Sequence, residues 1–343
     1  MALLSGLARA PRRRRNTSPG SAPHASGLPA DDDVLLDVPE EPLGPVLVAA
    51  ARGEHGPAAD LLADTRARAA WDERDRYTRR LAAFAGPRPA WFERWLAAAP
   101  ADPDALLVAA QLAVDRAGRS PARAEALRAV GPPVGAAAAG GDARDPVPWR
   151  IALDHAGGTD APPERFARLW EQAVRRAPHH YGCHVAALGY LSAACRAAGS
   201  GSGTCACLDF AEPAAQDAPA DSLLQALPLH AALGRLAGGN PYGPGERPRP
   251  QAGAGPGPGA RLDAAADRAI ALSARFAPGD PWPAPVRNQL AYVLVRLGRR
   301  ADALEQFRLI GPHATSAPWD LATDDPLGHF LRVRHDVGGP EQV

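Results

Sequence analysis

Lysine is missing from this chain, and all 38 basic residues are arginine. That bias is read as GC-rich coding. Methionine occurs only at Met1, so the sequence offers no internal check on the start. Cysteine is scarce, with four residues, and no secretion signal precedes them, so reduced thiols are expected rather than disulfides. The basic cluster Arg12–Arg15 is followed by Asn16-Thr17-Ser18-Pro19-Gly20, not by the apolar stretch a Sec or twin-arginine signal needs. Net charge of either sign is also missing, because 38 acidic residues balance the arginines. This excludes a general nucleic-acid binder or a binder of acidic membranes. No apolar run approaches the roughly 20 residues needed to cross a bilayer. These absences together point to a cytoplasmic protein with no membrane span. Alternating β-branched runs are missing too, whereas alanine and arginine, both helix formers, are plentiful.

What is abundant is proline and glycine, at 37 and 34 residues, or about a fifth of the chain. They are unevenly placed and divide the chain. Residues 1–40 read as a disordered tail with the acidic run Asp31–Asp33. Residues 41–237 carry helical patterning, interrupted by a loose loop near 131–145. Residues 238–260 read as a Gly/Pro-rich linker, 261–335 as C-terminal helical hairpins, and 336–343 as a tail. In the segment Trp71–Phe84, apolar Trp71, Tyr77, Leu81 and Phe84 stand among charges, and the charge-rich face is expected to be solvated.

Three helix endings share one form: Ala99-Pro100, Ala177-Pro178 and Ala277-Pro278. Eight residues before each proline stands a large apolar side chain: Phe92, Trp170 and Ile270. Proline removes a donor and clashes with the preceding turn, so each pair marks a helix exit. The spacings, 78 and 100 residues, are unequal and do not mark a regular array. Trp91 and Trp95, and Phe92 and Leu96, lie four apart and give one helical face a large apolar stripe. Asp102-Pro103 reads as an N-cap followed by a first-turn proline. Leu223, Leu224, Leu227 and Leu233 predict a further helix, with a kink or break at Pro228.

The last module resembles a tetratricopeptide repeat through Leu290, Ala291, Leu294, Gly298, Ala303 and Phe307. Small Ala291 and Ala303 let two helices approach, Leu294 and Phe307 fill the seam, and Gly298 permits the turn. Arg287 stands where that repeat prefers tryptophan. Across residues 90–320 the chain also resembles an uncharacterised family of helical proteins from GC-rich bacteria. The resemblance runs through Trp95-Leu96, Pro178-His179-His180, Leu188-Gly189-Tyr190-Leu191, Phe210-Ala211 and Pro318-Trp319. Where that family has a tryptophan before Gly-Ser, this chain has Cys195-Arg196-Ala197-Ala198. The resemblance implies an all-α, irregular stack of helical hairpins, a tetratricopeptide-like α-solenoid, and supplies no activity.

Two sets of residues are candidate sites. Asn288, Tyr292 and Arg296 recur every four residues on the side of the last hairpin that would line a concave groove. There the amide and guanidinium suit a peptide backbone or carboxylate, and the phenol suits stacking. An ordinary solvated face is the competing reading. The second set is His180, Cys183 and His184, with His179, Cys195, Cys205 and Cys207 nearby. Such groups could hold zinc. However, paired Cys-x2-Cys knuckles are missing, and Cys205-x-Cys207 diverges on a helix. Buried thiols and helix-start histidines are the simpler account, so no metal or cofactor is expected. Gly199–Gly203 is followed by no Gly-Lys-Ser/Thr, and Gly201 occupies the nucleophile position of Gly-x-Ser-x-Gly. The sequence therefore reads as an interaction or scaffold protein that binds a segment of an unknown protein or peptide partner. A metal-binding protein or enzyme built on His180, Cys183 and His184 is the alternative.

Overall fold

A computed structural model describes residues 27–197, 203–237 and 258–339. The described protein is all-α apart from two residue pairs in extended pairing. The helices in the first half are α1 Leu43–Ala51, α2 Gly56–Ala67, α3 Trp71–Ala85, α4 Ala90–Ala98, α5 Pro103–Gly118, α6 Arg123–Ala129, α7 Gly131–Gly140 and α8 Val147–Gly158. They continue with α9 Pro163–Arg176, α10 Tyr181–Ala197, α11 Gly203–Asp217, α12 Leu227–Ala237 and α13 Pro258–Ser273. The last are α14 Ala284–Arg296, α15 Arg300–Ile310, the single turn α16 Ser316–Trp319, and α17 Pro326–Gly338. Strand β1 Leu35–Leu36 pairs in parallel with β2 His313–Ala314.

Neighbouring helices pack as hairpins, and α3, α5, α8, α10, α12 and α14 form an inner row in which each touches the next. The row curls until α10 meets α3. Its apolar filling comes in successive clusters. Trp91, Phe92 and Trp95 anchor the first, under α1–α5, and Phe307, Trp319 and Phe330 anchor the last. The expected apolar stripe of α4 is thus core.

The Ala-Pro endings hold to different degrees. Helix α4 stops at Ala98 with Ala99 as its C-cap, and α9 stops at Arg176 with Ala177 as its C-cap. Helix α13 ends at Ser273, ahead of Ala277-Pro278. Asp102 caps α5 by accepting from the Asp104 amide at 2.9 Å, with Pro103 in the first turn. The expected break at Pro228 is present: a 3₁₀ turn, Leu223–Ala226, precedes α12, which places the proline in the first turn. The seam of the last hairpin is as expected. Leu290, Ala291, Leu294, Ala303 and Phe307 are all fully buried, and Gly298 turns the chain with φ 71°.

The expected boundaries need four corrections. Residues 131–145 are not a loose loop, since α7 occupies Gly131–Gly140. Its prolines sit in the first turn, where no donor is required, and its alanines favour helix. Residues 27–40 are not a tail. Leu28 and Val34 enter the last core cluster, and the Asp31 carboxylate pairs with Arg334 and His335 of α17. The acidic run finds basic partners on a helix about 300 residues away, which local patterning cannot show. The segment 238–260 does not separate two modules, because Leu233 and Leu236 share one core with Ala266 and Ala269; residues 238–257 themselves lie outside the described residues. Finally, α17 carries the chain to Gly338 and buries Val337, so the final tail starts later than residue 336.

Candidate functional site

Helix α3 reads Trp-Asp-Glu-Arg-Asp-Arg-Tyr-Thr-Arg-Arg from Trp71, and two of its charges, Arg74 and Asp75, are buried rather than solvated as expected, whereas Arg79 is exposed. Arg74 is 1% exposed, Asp75 6% and Arg150 of α8 0%. The Arg74 guanidinium donates to Asp145 at 2.7 Å, to Asp104 at 2.6 Å and to the Leu62 carbonyl at 2.9 Å. Arg150 meets Asp75 at 2.5 Å, Gln111 at 2.5 Å and Asp154 at 2.9 Å. Burial alone would raise the Asp75 carboxyl, but Arg150 and Arg79 outweigh it and hold the group at about 2. These ion pairs tie α3, α5 and α8 together beneath the surface. Gly182 leaves no room for a Cβ, which would stand 2.3 Å from an Asp75 oxygen. Glycine therefore lets the first turn of α10 lie against α3.

Above this network α3 lines a cleft of about 240 Å³. One wall carries Arg76, Arg79 and Arg80; the others carry Asp37, Glu40, Gln289 and the segment 313–317. Arg76 donates to Glu40 at 2.6 Å and to the Trp282 carbonyl at 2.8 Å, and its guanidinium lies 3.9 Å from the centre of the Trp282 ring. The cleft thus joins residues from both ends of the chain. Sequence reading missed it because Asp37 and Glu40 fell in the presumed tail. One signal was present: Arg74 shares the helical spacing of Tyr77 and Leu81, and a cation on an apolar stripe marks a buried partner.

Of the residues expected to bind a partner, only Arg296 is exposed; Asn288 is 0% exposed and Tyr292 8%. The open groove expected there is filled by the chain's own segment 313–319. Asn288 donates to the His313 carbonyl at 3.0 Å and the Ala284 carbonyl at 2.8 Å. Its oxygen accepts from the Thr315 amide at 3.3 Å and the Trp319 indole at 2.9 Å. Tyr292 meets Trp319 edge to face at 5.6 Å. The expected chemistry, an amide holding peptide backbone beside a stacking phenol, is used inside the molecule.

The side chains of His180, Cys183 and His184 are engaged within the fold. His180 Nδ1 accepts from the Cys183 amide at 3.1 Å and so caps α10; its Nε2 faces the Trp71 carbonyl at 3.2 Å. Both ring nitrogens are therefore occupied. The Cys183 thiol is fully buried, and burial pushes it well above the ordinary thiol range. His184 donates from Nδ1 to the His180 carbonyl at 3.0 Å and packs edge-on to Trp170 at 4.9 Å. His179 pairs with Asp217 at 2.9 Å on the surface. Among the described residues no three His, Cys, Asp or Glu groups converge on one point. The side chain of Cys205 lies outside the described residues, as does the Gly199–Ser202 part of the glycine-rich run.

His184 carries a pH prediction. Burial lowers its pKa from 6.5 to about 4. The fold requires the neutral ring, so its contribution is complete above pH 6.5 and is lost as pH falls towards 4. The whole effect is about 3 kcal/mol, at 1.36 kcal/mol per unit. In His184→Gln, the slope of unfolding free energy against pH should fall by close to one proton between pH 6.5 and 4. Equal slopes in urea titrations of the two proteins would refute the assignment.

No known family, curated protein or solved structure matches this chain. Among the described residues no helix is long and apolar enough to cross a membrane.

Proposed function

We propose that the protein is an interaction module that holds a segment of a partner protein in the cleft between α3 and α14. The tetratricopeptide-like reading of the last hairpin, in which inner helices present side chains to a peptide, agrees with this proposal. The site is moved, however, from Asn288, Tyr292 and Arg296 to the neighbouring cleft. The observation that carries it is the combination of an exposed and a half-buried cationic side chain with a rigid base. Arg79 and Arg80 project from a helix whose underside is fixed by Arg74, Asp75 and Arg150. Preorganised side chains lose little entropy on binding. The volume, about 240 Å³, is below the roughly 300–1,000 Å³ of small-molecule pockets. It suits one or two residues of a peptide.

A photo-crosslinking residue at Val38, on the cleft wall, should give a discrete adduct in cells that make the protein. Filling the cleft with Gln289→Trp should abolish it, and the same crosslinker at exposed Leu321 should not give it. No adduct at position 38, or the same adduct from position 321, refutes the cleft as the binding site.

A further inference from the structure

We infer that the cleft takes a carboxylate and that Arg79 is the group that holds it. The inference rests on the cleft reading above and specifies its chemistry. It comes from a contrast in distances among the arginines of one network. Arg74, Arg76 and Arg150 all meet carboxylates at 2.5–2.9 Å. The other two arginines of the cleft wall, Arg79 and Arg80, do not. Arg79 reaches Asp75 only at 3.4 Å and Asp154 only at 3.6 Å, and Arg80 reaches Asp37 only at 3.8 Å. Their carboxylates are already engaged: Asp75 and Asp154 with Arg150, and Asp37 with the amide and hydroxyl of Ser316.

A guanidinium has five N–H donors in a planar fork that fits a carboxylate with two parallel bonds. Among the described residues Arg79 has one hydrogen bond, the 3.4 Å contact from Nε, and its side chain is 43% exposed along the cleft. Burial opposes its charge, but Asp75 and Asp154 offset that and keep it cationic. The ligand charge follows from the walls. Asp75 and Asp154, behind Arg79, are engaged by Arg150. Among the side chains that line the cleft, Arg76, Arg79 and Arg80 exceed Asp37 and Glu40 by one positive charge. A single carboxylate neutralises it, whereas a doubly charged phosphate would meet Asp37 and Glu40. Two sources present that group to a cleft of this size: an Asp or Glu side chain, or the C-terminus of a chain.

Three peptides separate these sources: acetyl-Gly-Gly-Glu-Gly-Gly-amide, acetyl-pentaglycine with a free carboxyl end, and acetyl-pentaglycine amide. Each is titrated into the full chain while the arginine Nε–Hε signals are followed by NMR, the Arg79 signal being the one lost in Arg79→Gln. At least one acid peptide should move that signal, and the amide should not. The better acid peptide identifies the source. Its affinity should fall about tenfold in Arg79→Gln, the loss expected for a charge-assisted pair. The acid-against-amide comparison on the unaltered protein needs no variant to fold. Equal binding of the amide overturns the carboxylate while leaving the crosslinked cleft intact. No movement with either acid up to about 10 mM, a concentration above a millimolar Kd, overturns the inference. So does unchanged affinity in Arg79→Gln.

Discussion

Arg287→Leu should cost about 3 kcal/mol, a large share of a typical stability of about 5–15 kcal/mol. Arg287 is 0% exposed, and every N–H of its guanidinium has an acceptor. Nε donates to the Ser273 hydroxyl at 3.0 Å. One terminal nitrogen donates to the Ala277 and Leu309 carbonyls at 3.0 and 2.9 Å, and the other to those of Ser273 and Phe276 at 2.9 and 2.8 Å. None of these partners is a carboxylate. The charge instead faces the carbonyl ends of α13 and α15, where helix dipoles are negative. Leucine would fill part of the volume and take the guanidinium from four carbonyls. Those of Ser273, Ala277 and Leu309 each keep a backbone amide, at 3.3, 3.2 and 2.9 Å, whereas that of Phe276 loses its donor. Hydrogen bonds to a charged group are worth about 1.5–3 kcal/mol each, not additively. Lysine keeps the charge but offers three donors, so Arg287→Lys should lose less than the leucine variant. Urea unfolding reads both. A loss under about 1 kcal/mol for Arg287→Leu would show that these carbonyls find other partners.

Arg287 also shows where the sequence stops being legible. It occupies a position where the repeat pattern prefers tryptophan, so it read as a departure. In the structure it does what a bulky core residue does, joining two helices, but by hydrogen bonds to helix ends. Leu290, Ala291, Ala303 and Phe307 were readable because local spacing alone decides their burial. Asn288 was readable in its chemistry and not in its partner: an amide facing a groove is indifferent to whether the peptide comes from another chain or from residues 313–315. Its four hydrogen bonds are satisfied within the fold. The cleft residues were the hardest, since Asp37 and Glu40 approach Arg80 and Arg76 only after the helical row has curled. No window of one or two helical turns contains that information.

The buried ion pairs under the cleft give the other large effect. Arg74→Met should destabilise the protein by about 3–5 kcal/mol, because it leaves the buried Asp145 carboxylate without its cation and Asp104 with only the longer pair to Arg66. Asp145 and Asp104 are 0% and 2% exposed. Without Arg74, Asp145 keeps the Val147 amide at 2.8 Å, and Asp104 keeps Arg66 at 3.3 Å. Methionine has nearly the reach of arginine and no donor, so the loss reports on charge more than on volume. Burial already raises the Asp145 carboxyl despite Arg74. Removing the cation should raise it further, and part of the cost should then be relieved by protonation. Unfolding free energy of Arg74→Met should therefore recover relative to the unaltered protein as pH is lowered from 7 towards 5. The double variant Arg74→Met/Asp145→Asn should be more stable than Arg74→Met alone, since it removes one stranded charge. A double variant no better than the single would mean that Asp104, which also pairs with Arg66 of α2, carries the penalty. Arg74 would then act chiefly by fixing α3 against α2 and α5. Because the same helix presents Arg79, loss of this pairing should also broaden the geometry of the cleft. Peptide affinity measured below the unfolding transition should then fall in Arg74→Met although Arg74 is not among the residues lining the cleft.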